Sequence, residues 1–233
     1  MPGCFLNDRR SVIVFGADAS GFGMVKLNLD TGRNEEIDFG ELNRGVHVMG
    51  ELSPDGKRIA TIRSINGSFQ EDCWVQLIDL ETAKCRNLGM QMQIGGPCSW
   101  LPDGNELVVK RLESKGESNS VAKRTICRLE LNGKLTDLCP GDWPVVLRKS
   151  RKILYQQNDS KLWHTCDLDG SHSELFADGF KGYVMPAVSP DESKILFVRD
   201  DINHSQLVLI EMGKSTGKPV RHVAGFTARP VWR

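Results

Sequence analysis

The 233-residue sequence has little of what usually marks a chemical site. Aromatic residues make up only 7% of it, and Trp74, Trp100, Trp143, Trp163 and Trp232 all fall in strand-like stretches. They read as packing residues, which leaves no platform of rings on which nucleic-acid bases could stack. Thirty basic residues balance thirty acidic ones, with no long run of either sign. Nucleic acid is therefore not an expected partner. No stretch approaches the ~20 apolar residues of a membrane-spanning helix, so no membrane insertion is expected. Residues 1–10 lack the apolar core of a secretory signal. The compartment stays unknown: the chain as given reads as cytoplasmic, and as periplasmic or extracellular if a signal peptide or parent chain has been removed.

Familiar catalytic patterns are missing too. There is no Gly-x-Ser-x-Gly elbow, and His47, His164, His172, His204 and His222 show no metal-ligand spacing. Gly213-Lys214-Ser215-Thr216-Gly217 resembles the end of a phosphate-binding loop, but Val208 stands where that motif needs a glycine. No catalytic residue, metal or cofactor is expected. The seven cysteines contain no Cys-x-x-Cys pair. An odd, scattered set reads as reduced, buried small hydrophobes.

What the sequence does contain is a repeat. Ser53-Pro54-Asp55-Gly56, Leu101-Pro102-Asp103-Gly104 and Ser189-Pro190-Asp191-Glu192 each precede an uninterrupted apolar run. Proline presets the turn, Ser and Asp bond nearby backbone, and glycine suits the exit. A continuous apolar run suits a strand covered on both faces. Anchored on Val12, Ile59, Leu107, Ile153 and Ile195, the copies step by 47, 48, 46 and 42 residues. A second turn recurs after each, as in Asp79-Leu80-Glu81-Thr82 and Asp167-Leu168-Asp169-Gly170, and one more short strand precedes each first turn. Four antiparallel strands every 40 to 50 residues are the signature of a β-propeller blade.

Those turns and strands resemble the Pro-Asp-Gly, WD-repeat-like propellers of the TolB-like family, with residues 50–63, 98–110 and 186–199 matching well. The fourth copy departs, with Leu147-Arg148-Lys149-Ser150-Arg151-Lys152 at the turn, and the first has only Asn7-Asp8. The resemblance implies an all-β, single-domain propeller over residues 1–233, with five blades. Their expected spans are 225–233 plus 11–38, 46–88, 95–139, 141–176 and 182–223. Pairing of residues 226–232 with the strand near Val12 would close the ring. Residues 3–8 compete for that slot, and a fragment of a six- or seven-bladed propeller is the alternative. One disulfide between blades is compatible with this arrangement.

The family hosts many roles, so fold does not fix function. The expectation is a non-enzymatic scaffold binding a protein, peptide or small ligand on the face carrying the loops at 64–72 and 112–124. The alternative is an accessory or gating propeller of a peptidase-like enzyme, or a carbohydrate-active propeller. Arg63, Arg111 and Arg199 occupy equivalent ends of second strands, and their planar forks would suit an acidic peptide or anion. Local pairing within each blade is the plainer reading. Asp79, Glu130, Asp167 and Glu211 recur at turns, where they would bond backbone. Glu51, on an inner strand, is expected to stand alone.

Overall fold

The computed structural model describes residues 3–6, 10–18, 21–37, 46–64, 73–92, 97–113, 123–177, 180–201, 204–213 and 218–223. Among them, five antiparallel sheets each take four consecutive strands. Blade 1 holds β1 (Gly3–Phe5), β2 (Ser11–Asp18), β3 (Gly21–Asn28) and β4 (Asn34–Ile37). Blade 2 holds β5 (Val46–Leu52), β6 (Arg58–Ser64), β7 (Cys73–Asp79) and β8 (Cys85–Met92). Blade 3 holds β9 (Ser99–Trp100), β10 (Glu106–Glu113), β11 (Lys123–Glu130) and β12 (Leu135–Pro140). Blade 4 holds β13 (Asp142–Leu147), β14 (Lys152–Gln156), β15 (Trp163–Asp167) and β16 (Glu174–Ala177). Blade 5 holds β17 (Tyr183–Val188), β18 (Lys194–Asp201), β19 (His204–Glu211) and β20 (Lys218–Val223).

Successive side chains of a strand point to opposite faces, and here each face meets a different neighbour. Ile59 and Ile78 pack on Ile13 and Met24 of blade 1. Ala60, Ile62 and Leu77 pack on Leu107, Val109 and Cys127 of blade 3. Val108 and Ile126 meet Ile153 and Cys166 of blade 4, whose Leu154 and Trp163 meet Ile195 and Phe197 of blade 5. That is why the strands are apolar at consecutive positions. The chain is a five-bladed β-propeller, with its blades in sequence order around the axis.

The first blade differs from the expected closure. Gly3–Phe5 supplies its inner strand, with Cys4 opposite Ile13 and Phe5 opposite Val12, and β3 takes the other edge of β2. The position near Val12 is therefore already paired by the N-terminal segment, whose Cys4 buries its side chain against Ile13 and Met24. The expected pairing of residues 226–232 lies outside the described residues. Residues 224–233 lie outside the described ones, as do 214–217, within the segment that resembles a phosphate-binding loop.

In blades 2 and 5 the turn works as its residues imply. Ser53 Oγ donates to Asp55 (2.5 Å) and accepts from the Arg58 N–H (2.9 Å), while Asp55 accepts from the Lys57 N–H (3.0 Å). Ser189 and Asp191 repeat this with Lys194 and Ser193. Gly56 exits at φ 73° and Gly104 at φ 71°, but Glu192 takes that left-handed position at φ 58°. The strain is compensated next door. The Glu192 carboxylate accepts the N–H groups of Lys149 (2.5 Å) and Ser150 (3.0 Å), in the turn of blade 4 that has Leu147 and Lys149 where blade 2 has Ser53 and Asp55.

A second device was not visible in the repeat. The inner strands of blades 2, 4 and 5 bulge at Val48/Glu51, Asp142/Val145 and Val184/Ala187. Trp143 and Met185 sit there at φ 52° and 53°, each followed by a proline. A bulge is where a strand can hold proline without losing a ladder bond.

Candidate functional site

The strand directions give the propeller two unlike ends. The Ser-Pro-Asp turns and the turns between third and fourth strands share one, the turn face. Second strands end, and third strands begin, on the opposite loop face. Residues 65–72 and 114–122, the bulk of the long loops, lie outside the described ones.

On the turn face the polar groups are used up locally. Asp79 Oδ1 accepts from Thr82 N (2.8 Å), Thr82 Oγ1 (2.8 Å) and Glu81 N (3.1 Å), and the Thr82 bonds hold its carboxyl below the usual range. Glu130 is lowered likewise, first by Asn132 Nδ2 at 2.9 Å. Asp167 Oδ2 meets His172 Nδ1 at 2.8 Å. These recurrent acids are turn formers.

Glu51 does not stand alone. Arg148 reaches it from blade 4, Nη2 to Oε1 at 2.7 Å, and also bonds the Leu52 carbonyl at 3.2 Å. Ser99 Oγ and Trp100 N–H of blade 3 each approach the same carboxylate oxygen at 3.3 Å. Trp100 Nε1–H donates to the Glu51 carbonyl at 3.0 Å. Blades 2 and 4 are not neighbours, so the ion pair passes across the inner strand of blade 3. The sequence carried one signal for it: the fourth turn replaces proline with Arg148, a long cation next to the channel.

A second charge cluster joins blades 3 and 4 towards the loop face. Lys110 Nζ lies 2.6 Å from Asp142 Oδ1, and Arg124 Nη1 lies 3.1 Å from Asp142 Oδ2. Burial lowers the Lys110 pKa, with Asp142 opposing that shift. The ammonium also sits 5.3 Å from the Trp143 ring centre. A lysine after Leu107-Val108-Val109 in a twice-covered strand demands an acid nearby. Asp142, the first residue of the next inner strand, meets that need.

The three arginines lie on the blade sides that face the preceding blade, since each is four residues beyond Ile59, Leu107 or Ile195. Arg63 is only 7% exposed and stacks 6.0 Å above Trp74, and burial lowers its pKa. The Arg111 guanidinium is held by Glu113 (2.5 Å) and Asp137 (2.9 Å) of its own blade. Arg199 is exposed, 5.9 Å above the ring of Tyr183, its cross-strand partner. Each has a local partner, and Arg199 is the one that meets solvent broadly. Among the described residues, no group of three His, Cys, Asp or Glu side chains is placed to hold a metal, and no helix is long and apolar enough to cross a membrane.

No protein-family model matches the chain, and no curated protein matches it. Solved structures do. A TolB-type protein from Agrobacterium tumefaciens superposes with a TM-score of 0.71 at 19% identity, over 95% of this chain and 80% of that one. TolB from Acinetobacter baumannii gives 0.67 at 17% identity, over 91% of this chain and 51% of that one. An oligogalacturonate lyase from Vibrio parahaemolyticus gives 0.64 at 14% identity, over 97% of this chain and 65% of that one. Peptidases are also among the similar structures. At these identities the likeness is one of fold.

Proposed function

We propose that this propeller is a binding scaffold rather than a catalyst, docking a protein or peptide that presents carboxylates to its loop face. The observation that carries this reading is the contrast between the two faces. The turn-face acids Asp79, Glu130 and Asp167 are committed within their own turns, to backbone N–H groups or to the side chains of Thr82, Asn132 and His172, and Glu51 and Asp142 are committed to cations of other blades. Arg199, by contrast, is exposed and lies 5.9 Å over the Tyr183 ring, with exposed Lys181 two residues before that tyrosine. A stacked guanidinium is pre-organised for a carboxylate and loses little freedom on binding it. Binding functions favour loops on rigid scaffolds.

The test uses a poly-glutamate peptide as probe, titrated against the whole chain. Arg199→Glu should weaken binding about tenfold or more at unchanged melting temperature, and added salt should weaken the wild type. Lys57→Glu, an exposed charge change on the turn face, should matter far less. Equal loss in both variants, or no binding by the wild type, contradicts the proposal. The second reading, a carbohydrate-active or peptidase-associated propeller, is supported by the fold likeness to the lyase and peptidases. Turnover of oligogalacturonate or peptide substrates by the purified chain would favour it.

A further inference from the structure

Two cysteines meet between blades 3 and 4. Cys139 in β12 lies opposite Ile126, and Cys166 in β15 lies opposite Ile153. Those registers turn Cys139 towards blade 4 and Cys166 towards blade 3, so both enter the apolar cluster of Val108, Ile126, Ile153 and Tyr155. The two backbones are drawn together here. A Cβ on Gly170, in the turn just after β15, would lie 2.9 Å from both the Cβ and the carbonyl oxygen of Leu138. Leu138 is the residue before Cys139. The two thiols act on each other's protonation, and the Tyr155 hydroxyl acts on that of Cys139.

We propose that Cys139 and Cys166 form a reversible disulfide that locks blade 3 to blade 4 when the protein meets a hydroperoxide. Cys139 is half-buried and Cys166 fully buried, so the oxidant reaches Cys139 first. Its sulfur attacks the peroxide, the O–O bond breaks, and sulfenic acid and water (or the alcohol) form. The Cys166 sulfur then attacks the sulfenic sulfur and releases a second water, the thiol protons having gone to the two leaving oxygens. Peroxide is reduced and the two thiols are oxidised by two electrons.

The surroundings fit this order. Interaction with Cys166, aided by Tyr155, lowers the Cys139 pKa against burial, while interaction with Cys139 and burial raise that of Cys166. The thiolate is the nucleophile, so Cys139 is the reactive partner. Burial pushes Cys4 and Cys127 up to about 12 and raises Cys85 as well, which keeps them as inert thiols. The link closes a 27-residue stretch of chain, the interval from 139 to 166.

The test oxidises the whole chain with equimolar hydrogen peroxide, alkylates the remaining thiols and maps the unreduced digest by mass spectrometry. One cross-linked peptide pair containing Cys139 and Cys166 should appear, two hydrogens lighter than its parts and cleaved by phosphine. The oxidised protein should melt several degrees higher, and neither Cys139→Ser nor Cys166→Ser should show link or shift. Full alkylation of all seven thiols after oxidation would overturn the proposal, as would sulfinic Cys139 beside alkylated Cys166. The wild-type map alone decides between these results if a serine variant does not fold.

Discussion

Asp191 shows how one side chain makes a chain reversal. Its carboxylate takes Ser189 Oγ, Ser193 Oγ and the Ser193 N–H, and those bonds hold its pKa well below the usual carboxylate range. Asp55 is lowered too, first by Ser53. Between the folded and unfolded pKa values the unfolded state binds more protons, so stability rises with pH there. The contribution is complete above about pH 4, where a free Asp is ionised, and is lost as pH falls through the folded value. Asp191→Asn should therefore lower the melting temperature at pH 7, with a gap to wild type that narrows at pH 2 to 3. A gap independent of pH would contradict this. Glu192 makes a sharper comparison, because it holds a left-handed backbone and serves blade 4. Glu192→Ala should lose the carboxylate and keep the strain, whereas Glu192→Gly loses both. Denaturant titration should find the alanine variant less stable than the glycine variant by about 1 kcal/mol.

At the scale of elements, what matters is how one blade is tied to another. Arg148→Ala and Glu51→Ala should each destabilise, and a double-mutant cycle should return a coupling of about 1 kcal/mol, modest because Arg148 is partly exposed. A zero coupling would mean that the pair does not hold blades 2 and 4. Glycine holds other blades in place by what it lacks. Gly133 (φ 92°) and Gly170 (φ 86°) sit in outer turns where a Cβ would lie 2.7 Å from Gly89 Cα and 2.9 Å from the Leu138 carbonyl oxygen. Gly170→Ala should cost about 2 kcal/mol or more, read by denaturant titration. A near-neutral result would show that the blades can part at the rim. The blades themselves were legible because Ile59, Leu107, Ile153 and Ile195 are anchors whose spacing survives turn loss. Even blade 4, without the motif, pairs Val146 with Ile153 as the others do. The ties were hardly legible, Arg148 in place of the turn proline being the signal for one of them. Glu51 and Arg148 are 97 residues apart, and nothing in a local pattern says which distant charges share a channel. Likewise the carboxylates that hold Arg111 come from Glu113, two residues on, and from Asp137, 26 residues away.

The molecule as a whole is a ring of short, twice-covered sheets. Each blade lacks a core of its own and becomes stable only against its neighbours. The sequence repeat implied this, and it left two candidates for the first inner strand. Two segments carried similar patterns, and packing of Cys4 on Ile13 and Met24 decided between them. Five blades covered on both faces should unfold as one cooperative unit. Native-state hydrogen exchange followed by mass spectrometry tests this most directly. Amides of the second and third strands in all five blades should exchange together, at the slow rate of global unfolding. Fast exchange in the second and third strands of any one blade, while the rest stay protected, would contradict a single five-bladed unit.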